Sequence, residues 1–235
     1  MMVKTLVVMF ALLFASCAHV EVGPFTPAAQ VSRSAGAVFK LETKLASCTA
    51  FHIGNGVIIS AAHCYDSLSQ LVEDKIYIVV KEKEEAKILV KDVEKDILIL
   101  QIKTIPKIAL ELEPNPFNNF EADPIITIGF PVYFKPNMTF EVGHFRGLMR
   151  VADRNFALIE GTAIGYSGGP IFNLRTGKVV AIQHKLFNNV DKLDPLKPEL
   201  QQDHWFGRAV LSNEVLDLIS KHKIYIGAKS DSQKN

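Results

Sequence analysis

Twelve short runs rich in valine, isoleucine and phenylalanine, each stopped by glycine, proline, asparagine or charge, constrain the fold of this chain more than any other feature. They are Val38–Leu45, Cys48–Ile53, Gly56–Ser60, Ile76–Lys81, Ala86–Val93 and Ile97–Ile102, then Ile125–Phe130, Thr139–Met149, Asn155–Glu160, Pro170–Asn173, Val179–Gln183 and Phe206–Leu211. Runs of this length between turn residues predict strands, and many in succession predict an all-β barrel or sandwich. The stretch ELEPNPFNNFEADP (Glu111–Pro124), with three prolines and three asparagines, divides them six and six and reads as a linker. Lys81–Lys87, KEKEEAK, reads as a solvated hairpin tip, and the polar segment between Leu186 and Asp203 as a long surface loop. The last element differs in period. SNEVLDLISKHK opens on Ser212, a capping residue, and spaces Val215, Leu216, Leu218 and Ile219 along one helical face, predicting a C-terminal helix. The expected organisation is a first β unit over 31–112, a linker over 113–124, a second β unit plus helix over 125–223 and a flexible tail over 224–235. No internal repeat is visible.

A length of 235 residues suits one large all-β body, and 26 basic against 25 acidic side chains leave no electrostatic footprint for nucleic acid. Lys4, the apolar run Leu6–Ala15 and the small residues behind it form an export signal too short to span a bilayer, so residues 1–17 are set apart. Cleavage after Ala18 fits a small-x-small site; alternatively, Phe14 to Cys17 resembles a bacterial lipobox, with Cys17 lipidated and the protein held on a membrane. Either way the mature chain is expected to be exported: periplasmic, anchored to the envelope or secreted. Export favours a disulfide between the two remaining cysteines, Cys48 and Cys64. That bridge would close a loop of roughly fifteen residues, worth about 3 kcal/mol in the chain-entropy model.

Three stretches carry chemistry. In GYSGGP (Gly165–Pro170) the glycines allow a tight turn that exposes the Ser167 hydroxyl while the N–H groups of Gly165 and Ser167 converge on one point. In ISAAHC, His63 follows an apolar strand, and a Cys48–Cys64 bridge would pin its loop, as a base requires. His19, His52, His144, His184, His204 and His222 lack that context and read as surface or structural residues. A carboxylate to orient the base is offered by Asp96, at the head of the apolar run DILIL; Asp74 and Asp92 are rivals in a polar turn and a charged strand, and Asp96 could also merely cap its turn. A nucleophile, a base, an orienter and oxyanion donors are what acyl transfer by a serine needs. A metal site built from Cys48, Cys64 and a histidine lacks paired short-spaced ligands.

TAFHIGNGVIISAAHC, DILIL and GYSGGP occur in the order His, Asp, Ser, which resembles the chymotrypsin-like (trypsin-fold) serine peptidases and not the order of subtilisins or α/β-hydrolases. Within that superfamily DPIITIGFP, GGPIFNLRTGKVVAIQ and FGRAVLSNEVLDLI are similar to HtrA/Deg-type peptidases, over about Ala35 to Lys221. The resemblance implies two six-stranded antiparallel β-barrels with a cleft between them. It implies catalytic roles for His63, Asp96 and Ser167, an oxyanion hole at Gly165 and Ser167, protein or peptide substrates, and no metal or organic cofactor. It also leaves the alternative of a catalytically silent binding module of the same fold. Fourteen residues follow Lys221, too few for the PDZ domain that HtrA/Deg proteins usually carry. The pocket for the side chain before the scissile bond would be walled by Gly161, Thr162, Ala163, Ile182, Gln183 and His184. Gly161 stands where basic specificity would need an aspartate, while Thr162 resembles the glutamyl endopeptidases, whose pocket histidine would fall near Gln183. Glutamate and small or apolar preferences both stay open. Finally, Tyr166 replaces the aspartate that in the trypsin branch pairs with a newly cut N-terminus, so the nucleophile loop is expected to be set by packing around Tyr166.

Overall fold

The computed structural model describes residues 26–42, 47–69, 76–80, 82–116, 123–131, 137–151, 153–187 and 206–227. The expected signal segment with Cys17, Asp74, most of the segment expected as a surface loop after Leu186, and residues 228–235 of the expected tail lie outside them, whereas Ile224 and Ile226 at the start of that tail pack against the core. All twelve apolar runs contribute strands: β1 (Val38–Glu42), β2 (Ser47–Gly54), β3 (Val57–Ser60), β4 (Ile76–Val79), β5 (Lys83–Asp92), β6 (Ile97–Gln101), β7 (Pro124–Gly129), β8 (Thr139–Val151), β9 (Arg154–Glu160), β10 (Pro170–Asn173), β11 (Val179–Phe187) and β12 (Phe206–Leu211). They close into two antiparallel barrels, in the order β1-β2-β3-β6-β5-β4 and β7-β8-β9-β12-β11-β10. The second order repeats the first, although the sequence shows no repeat: strand alternation and turn positions carry the topology, and many side-chain sets satisfy them.

Period-two alternation sorts each central strand between two cores. On β6, Leu98 and Leu100 fill the first barrel, while Ile97 and Ile99 turn to the seam between the barrels. Ile58 on β3 points inward and Val57 and Ile59 outward to the same seam. On β7, Ile125 enters the second barrel, and Ile126 and Ile128 face the seam. These strands are buried on both faces, which is why they read as continuous apolar runs. Phe51 and Phe172 join them in the seam, each fully buried side chain of this kind contributing about 1.5–3 kcal/mol.

Three helices complete the described residues: α1 (Pro27–Ser34), α2 (Ala62–Ser69) and α3 (Ser212–Lys221). The C-terminal helix buries Val215, Leu218 and Ile219 in the seam. Its cap is not the expected one: Leu211 holds the N-cap position, and the Ser212 hydroxyl instead donates to the Glu113 carbonyl at 2.5 Å, tying the helix to the segment that joins the barrels. That segment is stitched down, with Leu110 N–H on the His52 carbonyl and Glu113 N–H on the Val179 carbonyl, both at 2.8 Å. The charged stretch KEKEEAK is strand from Lys83 onward. Lys83 already pairs with Val79, and Ala86 turns into the core between exposed charged neighbours, so the expected tip is shorter than the stretch. Helix α1, absent from the sequence reading, opens on a Thr26 cap accepting from Ala29 N–H at 3.2 Å, with Pro27 in its first turn. The expected Cys48–Cys64 disulfide is present and ties β2 to α2. Among the described residues no helix is long and apolar enough to cross a membrane.

Candidate active site

His63 lies in the first turn of α2, directly after β3, and Asp96 in the turn before β6. Asp96 has φ 57°, a left-handed conformation that aspartate tolerates better than most residues. Its Oδ1 accepts the His63 backbone N–H at 2.7 Å, and its Oδ2 accepts Nδ1–H of the His63 imidazole at 2.8 Å. One carboxylate therefore both caps the start of α2 and orients the ring. The His63 side chain is 40% exposed, open to solvent on its far side, whereas Asp96 is only 8% exposed. The rival Asp92 is occupied elsewhere, accepting the Lys95 N–H at 2.8 Å.

A second imidazole reaches the same carboxylate. His184 Nδ1 contacts Asp96 Oδ2, its Nε2 lies 2.9 Å from Nη2 of Arg208, and its ring stacks on Phe156 at 5.6 Å between centroids. The sequence reading had His184 walling the substrate pocket beside Gln183. The pairing of β11 with β12 slips between Gln183 and Lys185, leaving His184 as the extra residue. A bulge of this kind re-aims one side chain, and alternation along the sequence cannot reveal it. Burial pushes the Asp96 pKa up, but the hydrogen bonds from His184 and His63 and the charge those imidazoles can carry outweigh it. The carboxyl is held well below the usual carboxylate range.

The Ser167 loop hangs on Thr49 of β2. Thr49 N–H donates to the Ser167 carbonyl at 2.9 Å, its hydroxyl donates to the Gly165 carbonyl at 2.9 Å, and that same oxygen accepts the Phe130 N–H at 3.0 Å. Thr49 is fully buried and was missed by the sequence reading; its only signal was its place beside Cys48. Gly168 packs where no side chain fits: at φ 80°, a Cβ there would lie 2.3 Å from Ser60 Oγ and 2.4 Å from the Thr49 carbonyl oxygen. Tyr166, fully buried, meets Thr139 Oγ1 at 2.7 Å through its hydroxyl, and burial pushes its pKa up to about 12. Among the described residues, the N–H groups of Gly165 and Ser167 have no acceptor and the Ser167 hydroxyl no hydrogen-bond partner. The disulfide touches both base and loop: Cys64 Sγ is 3.9 Å from His63 Nε2 and 3.8 Å from the Ser167 carbonyl oxygen.

Gln183 is bonded to the loop through its backbone, accepting from Gly168 N–H at 2.8 Å and donating to the Gly169 carbonyl at 2.9 Å. Its side chain and that of Thr162 converge on Gly207, where a Cβ would be 2.8 Å from Thr162 Cγ2 and 3.0 Å from Gln183 Nε2. Thr162 Oγ1 and Gln183 Oε1 are buried without hydrogen-bond partners among the described residues. Beside the imidazole, an open cleft of about 400 Å³ is lined by His63, Asp96, Phe156, His184, Val93 and Arg208, among others. Among the described residues two groups come within metal-ligating distance, but the sulfurs of one are bonded to each other, and in the other, His63, Asp96 and His184, both Nδ1 atoms face the carboxylate.

No curated protein matches this sequence. Solved structures do match in fold. The chain superposes on Rv3671c of M. tuberculosis H37Rv in an inactive form with a TM-score of 0.66 at 19% identity, covering 88% of this chain and 98% of that one. It is similar to the HtrA-type protease AlgW with tripeptide, at TM-score 0.66 and 20% identity over 84% of this chain and 64% of that one. The serine endoprotease of Yersinia pestis gives 0.62 and 17% over 85% and 67%. The family described as "Trypsin-like peptidase domain" matches residues 48–182, from the first cysteine of the bridge to the strand behind the nucleophile loop. With His63, Asp96 and Ser167 all inside that span and both barrels closed around them, the chain belongs to the trypsin-like peptidase family.

Proposed function

We propose that this trypsin-like peptidase is an exported serine endopeptidase in which His63, Asp96 and Ser167 form the catalytic triad. The observation that carries the reading is the doubly bonded Asp96, which fixes the His63 backbone and its imidazole together and leaves Nε2 on the ring edge away from the carboxylate. Ser167 Oγ attacks the substrate carbonyl as His63 Nε2 takes its proton, and Asp96 stabilises the resulting imidazolium. The backbone N–H groups of Gly165 and Ser167, which have no acceptor among the described residues, receive the developing oxyanion. The imidazolium then protonates the leaving amine, and water, deprotonated in turn by His63, releases the acyl group from Ser167. The unbonded Ser167 hydroxyl suits a resting site whose catalytic contacts tighten only around substrate. Thr162 and Gln183 are proposed to line the pocket for the side chain before the scissile bond, with protein or peptide as substrate.

Residues 1–17 are proposed to direct export, with lipidation of Cys17 as one of two outcomes; mass spectrometry of the mature N-terminus separates them. The test of the chemistry is labelling by a fluorophosphonate. The wild-type protein is expected to be labelled and Ser167→Ala to stay unlabelled; a correctly folded, disulfide-bonded wild type that resists the reagent would favour the silent binding module.

A further inference from the structure

We propose that His184 is a positioning residue of the active site, a neutral imidazole that holds the Asp96 carboxylate through the same oxygen that receives His63. The inference rests on the proposed roles of Asp96 and His63. The tautomer follows from the neighbours. Arg208 can only donate, so His184 Nε2, 2.9 Å from the guanidinium, is the acceptor and the proton sits on Nδ1, facing Asp96 Oδ2. Asp96 thus collects three N–H donors: the His63 backbone on Oδ1 and two imidazoles on Oδ2.

The ring is built in place. It lies on Phe156 at an interplanar angle of 15°, and the guanidiniums of Arg208 and Arg154 stand 4.6 and 4.7 Å from the centroid of that same phenyl ring. Arg154 is anchored in turn by Glu214 of α3 at 3.0 Å and by the carbonyls of Glu94 and Lys95, in the turn that bears Asp96. A bulge in β11, a stacked ring and Arg208 thus aim the His184 imidazole at one carboxylate oxygen, with Arg154 behind Phe156. Without His184, Oδ2 keeps a single side-chain donor, and the carboxylate can swing away from the line of the His63 ring.

An imidazole does this differently from a hydroxyl, because it can take up a proton. A protonated His184 would direct Nε2–H at Arg208 and would offset the Asp96 charge that steadies the His63 cation. The groups facing it are Asp96 and, beside that residue, Glu94 and Lys95; His63 of α2; Arg208 of β12; Arg154 of β9; and, behind Arg154, Glu214 of α3.

Three readouts test this on the disulfide-bonded protein. In an inactive Ser167→Ala background with ¹⁵N-histidine, NMR is expected to find the His184 proton on Nδ1 as a downfield resonance beside that of His63. Substitution of His184 is expected to shift the His63 signal. In the active protein, His184→Leu is expected to lower kcat about 10- to 100-fold with KM within about twofold, the signature of a misplaced catalytic group. His184→Asn, whose amide N–H can still reach the carboxylate, is expected to recover most of kcat. A proton found on Nε2, an unchanged kcat in the leucine variant, or equal losses in both variants would overturn the proposal. A wild type without peptidase activity would sink the functional reading instead, and the NMR result would still decide the tautomer.

Discussion

Thr49→Val replaces a hydroxyl by a methyl of the same shape at a site with no access to solvent, so it isolates what that hydroxyl does. The oxygen serves two partners: it donates to the Gly165 carbonyl at 2.9 Å and accepts the Phe130 N–H at 3.0 Å. Valine leaves both without a partner. Gly165 is buried, and an unsatisfied buried polar group costs about 1–3 kcal/mol; Phe130 is part-buried, and its N–H loses less. The expected destabilisation is therefore about 2–4 kcal/mol, read as a lower urea midpoint at unchanged m-value. The loss in catalysis has a separate origin. The Gly165 carbonyl belongs to the peptide that follows Gly165, and releasing it lets the loop between Gly165 and Ser167 turn, moving the two proposed oxyanion donors relative to each other. Deleting one such donor costs about 10²–10³ in kcat, so a misaligned pair is expected to cost about 10- to 100-fold. Thr49→Ser is the control. It keeps the hydroxyl and loses a methyl that packs near Gly169, so it is expected to lose about 1 kcal/mol of stability and little kcat. Wild-type kcat in the valine variant, or equal kcat losses in valine and serine, would refute the view that this hydroxyl sets the loop.

Other expectations follow from the same contacts. Gly168→Ala forces an alanine to φ 80° with its Cβ 2.8 Å from Ala61 N as well as against Ser60 and Thr49; a loss of about 3 kcal/mol or more is expected, and a wild-type melting temperature would count against it. Burial holds the His52 pKa below its ordinary value despite the Ile108 carbonyl at 2.6 Å, and the hydrogen bonds on Asp96 depress its own. Both groups bind protons more weakly folded than unfolded. Stability is thus expected to fall in two stages with acid, first below about pH 6.5 for His52 and again below about pH 4 for Asp96; a melting temperature flat from pH 7 to 3 would contradict this. Tyr166 acts at the other end. With its pKa pushed up to about 12, it contributes stability that is whole below about pH 10 and is lost as pH rises toward 12, so Tyr166→Phe is expected to flatten part of the alkaline limb while costing about 1 kcal/mol at neutral pH.

Much of the fold could be read from apolar runs and the turn residues between them, because strands buried on two faces, such as β3 and β6, leave continuous runs that glycine, proline and charge delimit. What stayed hidden was local. The pairing of Lys83 with Val79 turned a charged stretch into strand, since a lysine on an outer barrel face costs nothing there. Helix α1 is short and polar, and only the Thr26-Pro27 pair announces it. At the candidate site, His63, Asp96 and Ser167 were legible because each sits where a strand ends beside a chemically marked neighbour: a bridged cysteine, an apolar run or a pair of glycines. Thr49 and His184 were not legible as supports of those residues. Thr49 acts across 116 residues on Gly165, and His184 acts across 88 on Asp96 through a bulge. Contacts made by folding have no period.

The tyrosine in GYSGGP links these observations. A nucleophile loop that depends on an ion pair with a cut N-terminus needs a charge before the serine and a free segment to deliver the ammonium group. Here the position before Ser167 holds a fully buried phenol, whose ring lies so close to Gly129 that a Cβ there would be 2.8 Å from Cδ1. Its own N–H donates to the Ala163 carbonyl at 3.2 Å, and its carbonyl accepts from Gly169 N–H at 2.7 Å. The segment that would have to be cut is committed as well: Ser34 and Ala37 are fully buried, Ala37 N–H closes on the Ser34 carbonyl at 2.8 Å, and Val38 lies in the seam. Cleavage there would dismantle the start of β1 before it could free a terminus. Neutral contacts to Thr49 and Thr139 hold the loop, so on the proposed reading the mature protein is expected to be fully active without a cut near Ser34, and a requirement for cleavage there would refute it.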